Sequence, residues 1–359
     1  MRLIMTMVAI MCLGVTLFQL VNAIEVDLIR RIAAKNNVTG VFVFGDSSVD
    51  PGNNNHLKTD TKSNFPPYGM DFFNGHPTGR FTNGRLATDY IAEALGYTKE
   101  IRPYLVPAGL TRPYDLSHGV SFASSGSGYD NLTAQISNVL SLSHQFKYFA
   151  HYKRHLSMNI GETKAHQSIN NAVFVLSMGT NDFLQNYYID PTRSSKYTVD
   201  QYGDYLISLL QGYVKKMHSM GARRLVVVGV VPFGCMPLVK TLKGTTKCDN
   251  VYNNVALSFN LKLKNALASY RTSIGIKTIL VEAYSLIQRA IENPQKYGFI
   301  ETSKGCCGTG TYEYGTTCKG LDACEDREKY LFWDAVHPTD RMYKIVADEA
   351  LSSIVKNLS

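Results

Sequence analysis

Residues 41–48 read Val41-Phe42-Val43-Phe44-Gly45-Asp46-Ser47-Ser48, an apolar run that meets a glycine and then a polar turn. Short apolar runs bounded by glycine are typical of internal strands, and open α/β sheets bind ligands just beyond the carboxyl ends of such strands. Ser47 therefore lies where a nucleophile would be useful. Because Ser, Asp, Gly and Asn are also the ordinary residues of turns, this segment alone favours a plain turn.

Four further runs repeat the pattern of the first. Strands are predicted at 41–44, 119–123, 172–177, 225–231 and 277–282. Amphipathic stretches lie between them, and two of these stretches end at Gly96 and Gly221 as helix C-caps. Runs that are apolar on both faces, such as 225–228, predict a parallel sheet covered by helices on each side. Right-handed crossovers then place the carboxyl ends of all strands along one edge, where distant motifs meet.

The first 23 residues have the order of a secretory signal peptide. Arg2 is followed by a mostly apolar stretch from Leu3 to Val21, and Val21-Asn22-Ala23 has small residues at the two positions that a signal peptidase inspects. We expect cleavage after Ala23 and a single domain over 24–359. A membrane anchor is the alternative, because the apolar run approaches spanning length. The mature protein is predicted to be soluble and extracellular.

Cysteine usage agrees with export. The mature chain keeps an even number of cysteines, namely Cys235, Cys248, Cys306, Cys307, Cys318 and Cys324. Six cysteines allow fifteen pairings, and only Cys235 with Cys248 is suggested by the short loop that the pair would close. A metal site in the last four is disfavoured, because adjacent cysteines lack C-x-x-C spacing and the compartment is oxidising.

Sequons predict N-glycans at Asn37, Asn131 and Asn357, the last of which is close to the C-terminus. Basic residues outnumber acidic ones by 37 to 29, and loss of Arg2 with the signal peptide leaves a net charge of +7. A basic surface would favour weak adhesion to anionic polysaccharides. Nucleic acid is excluded as a partner, since the basic residues are dispersed and an exported protein rarely meets it. The oligomeric state is not determined by the sequence.

Polar turns at or after strand ends carry the groups that acyl transfer requires. They are Gly45-Asp46-Ser47, Ser124-Ser125-Gly126-Ser127-Gly128, Gly179-Thr180-Asn181-Asp182 and Asp334-Ala335-Val336-His337-Pro338. A serine hydroxyl is a poor nucleophile until a general base takes its proton, and histidine is suited to that task. His337 lies three residues after Asp334, which would fix its tautomer and stabilise the imidazolium.

Pro338 disfavours a helix at His337, and we expect it to open the last helix. The developing oxyanion needs preorganised donors. Gly126 brings its backbone N–H close to a ligand because it lacks a side chain. Asn181 offers a side-chain amide, and the Ser47 N–H completes the set. Each turn alone is ordinary, but four of them at one sheet edge indicate a catalytic site.

The motifs together resemble the GDSL-type esterases and lipases of plants, within the SGNH hydrolase superfamily, over essentially the whole mature chain. They are residues 41–55, Phe65-Pro66-Pro67-Tyr68-Gly69, 77–84, 119–128, 179–182, 231–235, 306–310 and 334–338. The resemblance implies a flavodoxin-like three-layer α/β/α sandwich with a mainly parallel five-stranded sheet and no metal or cofactor. It implies Ser47 as nucleophile, His337 as base and Asp334 as the residue that orients it. Gly126 and Asn181 are the implied oxyanion donors beside the Ser47 N–H.

Two positions depart from the family pattern. The leucine that gives the family its name is Ser48 here, and the turn after the fourth strand has Pro232-Phe233 where two prolines are common. Neither change removes a catalytic group. Ser121 is a rival nucleophile, but its segment misses the G-x-S-x-G elbow by one residue, so we expect Ser121 to be structural.

We therefore predict a secreted serine esterase or lipase that acts on lipid, cutin-type or acetylated polysaccharide esters. An acyltransferase that uses the same acyl-enzyme is one alternative, because an alcohol can replace water in the second step. A non-catalytic extracellular protein that binds the cell wall is the other. Residues 50–80, rich in Asn, Gly, Pro and aromatic residues, are expected to form one wall of the substrate cleft.

Overall fold

The computed structural model describes residues 26–106 and 118–358, so the predicted signal peptide at 1–23 lies outside the described residues. The strands are β1 (Val41–Gly45), β2 (Arg102–Pro103), β3 (Gly119–Ser121), β4 (Val173–Ser177), β5 (Arg224–Val228), β6 (Lys277–Val281), β7 (Glu301–Gly305) and β8 (Tyr330–Phe332). The first six form one sheet in the order β2-β3-β1-β4-β5-β6, and the last two form a small separate sheet.

Every neighbouring pair of the large sheet is parallel. The order of its five main strands is the flavodoxin-like order, so the predicted fold class is confirmed. The sixth strand, β2, is a two-residue edge strand that the sequence does not signal, because Pro103 interrupts any strand pattern there. Two predicted strands extend two or more residues beyond the observed ends: β3 ends at Ser121 and β5 at Val228.

The helices are α1 (26–35), α2 (Ala87–Ala94), α3 (Asn131–Ile136), α4 (Leu142–Ile160), α5 (Glu162–Asn171), α6 (Thr180–Phe183), α7 (Pro191–Ser194), α8 (Val199–Ser219), α9 (Pro237–Leu242), α10 (Asn250–Ser273), α11 (Ala283–Glu292) and α12 (Asp340–Leu358). A π-helical turn, Leu184–Ile189, continues α6. Short 3₁₀ turns are Asn53–His56, Phe73–Gly75, Phe233–Cys235, Pro294–Tyr297, Gly315–Cys318 and Arg327–Lys329.

The core lies where these helices cover the sheet. Phe42 and Phe44 of β1 are fully buried, and both rings lie 5.5 Å from the ring of Phe149 in α4. Among the described residues, no helix is both long and apolar enough to cross a membrane.

The last helix begins later than predicted. It starts at Asp340, and Pro338 lies two residues before it. Thr339 takes the cap position, since its hydroxyl accepts a hydrogen bond from Met342 N at 3.4 Å. Pro338 instead forms a bridge with Phe332 of β8, so the His337 turn is tied to the small sheet.

A second, smaller core surrounds the disulfides. The pairs are Cys235–Cys248, Cys306–Cys324 and Cys307–Cys318. The first was the pairing suggested by loop length. The other two staple residues 305–324, here called the cystine segment, and pack with Tyr68, Phe81 and Trp333. No thiolate of these six cysteines remains for a metal.

Candidate active site

Three of the predicted residues form a line of hydrogen bonds. Ser47 Oγ lies 2.8 Å from His337 Nε2, and His337 Nδ1 lies 2.9 Å and 2.8 Å from the two carboxylate oxygens of Asp334. His337 is nearly buried and Asp334 fully so. The ring of Phe81 lies 4.8 Å from the imidazole ring. A buried carboxylate at Nδ1 holds the histidine with Nε2 free to accept the serine proton.

The carboxylate of Asp334 has further donors. Its Oδ1 accepts the backbone N–H groups of Val336 and His337 at 2.8 Å and 2.7 Å. Its Oδ2 accepts the hydroxyl of Tyr68 at 2.7 Å, and that hydroxyl accepts Gly315 N–H at 2.7 Å. Burial, then the Asp334 charge, raises the pKa of Tyr68 well above its usual value, so the phenol keeps the proton that it donates. Local sequence patterns indicate no role for Tyr68, which lies 266 residues from Asp334.

The Ser47 turn is shaped by its approach to β4. Gly45 has a positive φ of 151°, and a Cβ there would lie 2.2 Å from Ser177 O. Gln145 of α4 bonds both sides of Gly45, since its amide donates to Gly45 O at 2.9 Å and its oxygen accepts Gly45 N–H at 3.0 Å. Only glycine permits the close approach of residue 45 to Ser177 O. Gln145 is a second positioning contact that the sequence did not indicate.

Ser48 is part of a small polar cluster. Its hydroxyl lies 2.7 Å from Asp46 Oδ1 and 2.7 Å from Ser177 Oγ. Burial raises the pKa of Asp46 to about 6, against the opposing effect of the hydrogen bonds from Ser48. The departure from the family leucine therefore gives a buried carboxylate a hydrogen-bond partner.

The loop that carries Gly126 lies beside the Ser47 turn. Ser124 N–H and the Ser127 hydroxyl both donate to Gly45 O, at 3.0 Å and 2.8 Å. Gly126 has a φ of 86°, and a Cβ there would lie 2.9 Å from the side chain of Ser137. A larger residue would displace the N–H that we expect to face an oxyanion.

Residues just after the Ser47 turn hold the loop that carries Gly126. Asp50 is fully buried, and its Oδ2 accepts the backbone N–H and the hydroxyl of Ser125 at 3.0 Å and 2.9 Å. The Asn53 amide donates to Ser121 O and Ala123 O, and the Asn54 amide donates to Ser125 O. The polar run 50–55 carries the signal for these roles, although the sequence predicts a cleft wall for the whole of residues 50–80.

Asn181 opens α6 at the carboxyl end of β4. Its amide donates to Ser127 O at 3.0 Å, which orients the side chain and leaves its second N–H free of that contact. The neighbouring Asp182 is fully buried and accepts Tyr129 N–H, Asp130 N–H and the Thr133 hydroxyl. Burial raises the pKa of Asp182 to about 7.

An apolar pocket adjoins the site. The Ser47 pocket contains about 900 Å³ of space, its open mouth included, and Ser47, Asn181 and His337 are among its lining residues. Its apolar lining includes Met178, Val228, Val231, Met236, Ile287 and Val346. No residue of 50–80 lines it, which contradicts the expectation for that segment, because Asn53 and Asn54 are buried against the backbone of 121–125. Residues 57–62 line a separate polar crevice.

The structure also describes the surroundings of Ser121 and of the three sequon asparagines. Ser121 is fully buried, and its hydroxyl donates to Val49 O at 3.0 Å, as expected of a structural residue. Asn37, Asn131 and Asn357 are all exposed. Within 26–106 and 118–358, no group of three or more His, Cys, Asp or Glu side chains is arranged to hold a metal ion.

The chain is similar in sequence to members of one known protein family. The family model described as GDSL-like Lipase/Acylhydrolase matches residues 41–350. GDSL esterase/lipase At5g45950 of Arabidopsis thaliana is 56% identical over 334 residues, which is 93% of this chain and 93% of that protein. GDSL esterase/lipase At4g26790 of the same plant is 41% identical over 316 residues, covering 87% and 90%.

Solved structures are more distant. The acetylxylan esterase Axe2 of Geobacillus stearothermophilus overlaps with a TM-score of 0.36 at 11% identity, covering 89% of this chain and 94% of that one. The lipase Lip_vut3 from a goat rumen metagenome overlaps with a TM-score of 0.38 at 13% identity, covering 88% and 97%. Overlaps of this size carry no conclusion about substrate.

Proposed function

This chain belongs to the GDSL-like lipase/acylhydrolase family and is a carboxylic ester hydrolase, and we propose that it cleaves its substrate through an acyl-enzyme formed on Ser47. The observation that carries the proposal is the line of contacts from Ser47 Oγ to His337 Nε2 at 2.8 Å and from His337 Nδ1 to Asp334 Oδ2 at 2.8 Å. A serine hydroxyl becomes nucleophilic when a base so placed removes its proton.

In the first step Ser47 Oγ attacks the ester carbonyl carbon while His337 Nε2 takes the hydroxyl proton. The tetrahedral oxyanion accepts hydrogen bonds from the N–H groups of Ser47 and Gly126 and from the Asn181 amide, and each such donor is worth about 10²- to 10³-fold in rate. His337 then gives its proton to the departing alcohol oxygen, and the C–O bond breaks.

In the second step water attacks the acyl-enzyme carbonyl as His337 takes one of its protons. Collapse of the second tetrahedral intermediate returns the proton to Ser47 Oγ and releases the carboxylic acid. Asp334 keeps its negative charge throughout and stabilises the imidazolium. An alcohol in place of water would give acyl transfer by the same steps.

The proposal includes the cellular setting. Three disulfides favour an oxidising compartment. We take the chain to be secreted after loss of residues 1–23, with 24–359 as one domain. Exposure of Asn37, Asn131 and Asn357 would permit N-glycans there.

The test compares wild type, Ser47→Ala and the matched control Ser208→Ala on p-nitrophenyl acetate and butyrate. Ser208 is an exposed serine of α8 whose hydroxyl bonds only to Tyr205 O among the contacts described. We expect Ser47→Ala to lose at least about 10³-fold in kcat/KM and the control to match wild type. Equal kcat/KM values for Ser47→Ala and wild type would refute the acyl-enzyme proposal.

A second measurement detects the covalent step directly. A dialkyl p-nitrophenyl phosphate should phosphorylate Ser47 Oγ and release p-nitrophenol, because it traps an activated serine as a stable adduct. The tryptic peptide that contains Ser47 should then gain the mass of the dialkyl phosphoryl group in place of the hydroxyl hydrogen. Labelling on another serine would contradict the assignment of the nucleophile.

A further inference from the structure

The Ser47 pocket is open at the reacting atom and apolar beyond it. Gly45, Ser177 and Val228 are in register across β1, β4 and β5, so the residues that follow these strands meet at one edge. The pocket extends from there to Ile287 of α11 and Val346 of α12. A group covalently attached to Ser47 Oγ therefore has an apolar space directly beside it.

The polar side chains of the pocket are few and mostly paired. Ser48 bonds to Asp46 and Ser177, as described above. Thr180 and Tyr343 are the other polar side chains away from the catalytic line. None of the described lining residues is lysine or arginine, so the pocket offers no partner to an anionic acyl group.

The extent of the apolar lining disfavours an acetyl group as the best occupant. The lining runs from Met178, which follows β4, to Ile287 of α11 and Val346 of α12, whereas an acetyl group is about the size of two water molecules at roughly 30 Å³ each. An acetyl ester would leave most of the apolar lining in contact with water, and a longer chain would cover it.

We propose that the Ser47 pocket binds the acyl chain of the substrate, and that the enzyme prefers esters of apolar acyl groups longer than butyryl. This inference rests on the proposed acyl-enzyme at Ser47. Each methylene that enters an apolar site contributes a factor of about four to binding. Preference should therefore rise steeply with chain length until the pocket is filled.

The experiment measures kcat/KM on p-nitrophenyl acetate, butyrate, octanoate and laurate, which share one leaving group and differ only in the acyl chain. We expect octanoate to exceed acetate by at least about 100-fold. Acetate equal to or better than octanoate would overturn the inference while leaving the acyl-enzyme intact. Absence of any Ser47-dependent hydrolysis would instead overturn the proposed function, and the inference with it.

A pocket-filling variant locates the chain. Ala283 is buried at the start of α11 and lines the pocket, so Ala283→Phe would occupy its interior. We expect the octanoate-to-acetate ratio of kcat/KM to fall at least tenfold, and Ala268→Phe, at an exposed alanine of α10, to leave the ratio unchanged. An unchanged ratio in a folded Ala283→Phe protein would contradict the assignment. The wild-type series decides the question where that variant does not fold.

A separate observation concerns Tyr68, whose hydroxyl connects the cystine segment to the catalytic carboxylate. Tyr68 is 1% exposed and packs edge-to-face on Phe81 and Trp333. Its hydroxyl has one acceptor and one donor, Asp334 Oδ2 and Gly315 N–H. We infer that Tyr68 is a positioning residue, which holds the Asp334 carboxylate in the plane that the imidazole requires.

The test is Tyr68→Phe, with Tyr312→Phe as the control at an exposed tyrosine of the same cystine segment. Loss of a hydrogen bond to a charged group should lower kcat by about tenfold or more, with KM unchanged, because the ring packing and the substrate pocket remain. Covalent titration of Ser47 counts folded sites, so kcat per titrated site is independent of any loss of stability. Wild-type turnover per site would overturn this role.

Discussion

The Asp334 end of the site lies among disulfides and aromatic rings, whereas the Ser47 end lies among hydrogen-bonded polar side chains and an open apolar pocket. At the first end, Cys306 N–H and Cys307 N–H both donate to Trp333 O at 2.8 Å, and Gly315 N–H reaches Asp334 through Tyr68. At the second end, Asp50, Asn53 and Asn54 join the Ser47 turn to the Gly126 loop.

The difference matches what each end has to do. The proposed acid–base pair, His337 and Asp334, would act on every substrate, so fixed geometry would benefit each turnover. The Ser47 end would also have to admit a substrate, and an enclosed cystine core would leave no space for one. Polar groups there are held by hydrogen bonds around one open side.

The largest effect is expected at the carboxylate of Asp334. Asp334→Asn keeps the shape of the side chain but loses the charge that stabilises the imidazolium, and we expect kcat to fall by about 10⁴-fold. Steady-state kinetics on p-nitrophenyl butyrate would measure this. Asp326→Asn, at an exposed aspartate near the cystine segment, should retain full activity. A loss of less than tenfold at Asp334 would show that this end does not control the base.

A substitution at Asp50 tests the Ser47 end of the site. Asp50→Ala leaves four buried or partly buried donor contacts without their acceptor, so unfolding free energy should fall by about 3 kcal/mol. We also expect a loss of about tenfold to 100-fold in kcat, because Ser125 precedes the proposed oxyanion donor Gly126. Urea unfolding and kinetics, with exposed Asp60→Ala as control, measure both. A fall in stability without a fall in kcat would separate the loop from catalysis.

Two disulfides of similar loop length allow a test of whether the cystine segment positions Asp334. Cys307–Cys318 spans 11 residues and Cys235–Cys248 spans 13, so replacing either pair by serine should cost a similar ~3 kcal/mol. Only the first encloses Gly315, which contacts Tyr68. We expect Cys307→Ser/Cys318→Ser to lower kcat more than Cys235→Ser/Cys248→Ser, measured well below both melting temperatures. Equal kcat values would deny the cystine segment a role in positioning Asp334.

The pH dependence of stability tests two buried carboxylates at the Ser47 end of the site. Burial raises the pKa of Asp46 to about 6 and of Asp182 to about 7, above the value of 3.8 expected in the unfolded chain. The folded state therefore binds these protons more tightly, so their contribution to stability is full below about pH 4 and is lost as pH rises to about 7. Its size is on the order of a few kcal/mol.

Melting temperatures at about pH 5 and pH 7.5 test this, since the raised groups titrate between these values. We expect the wild type to melt lower at the higher pH. Asp182→Asn, which cannot ionise, should show a smaller difference. An identical difference in both proteins would mean that Asp182 titrates normally.

The smallest effect is expected at Ser48. Ser48→Ala removes the hydroxyl bonds to Asp46 and Ser177 and should cost about 1 kcal/mol. Ser48→Leu removes the same bonds and also fills part of the Ser47 pocket. We expect both to keep kcat within about tenfold on butyrate, and only Ser48→Leu to change the chain-length preference. If Ser48→Ala and Ser48→Leu had the same chain-length preference, the side chain at position 48 would not contact the acyl chain.

Several structural elements followed from local patterns. The five apolar runs predicted the parallel sheet, because strands buried on both faces cannot alternate with polar residues. Ser47, Asn181 and His337 were identified from turns at strand ends, and the structure brings all three to one pocket. Strand β2 was missed because two residues with a proline carry no periodic signal.

Contacts between distant segments were not available from local patterns. Gln145 lies 100 residues from Gly45, and Tyr68 lies 266 residues from Asp334. Residues 50–55 show what local sequence patterns do not predict. Their composition indicates a loop, but whether such a loop faces substrate or bonds to a neighbouring backbone depends on what packs against it.

By itself, the sequence determined the sheet, the polar turns at its carboxyl edge and an even set of cysteines after residue 23. These follow from hydrophobic periodicity and turn chemistry, which act between neighbours in the chain. Only the tertiary structure decided which cysteines pair, which buried groups hold Asp334 and Gly126, and that an apolar pocket opens beside Ser47. Those features depend on the packing of side chains hundreds of residues apart, which periodicity does not encode.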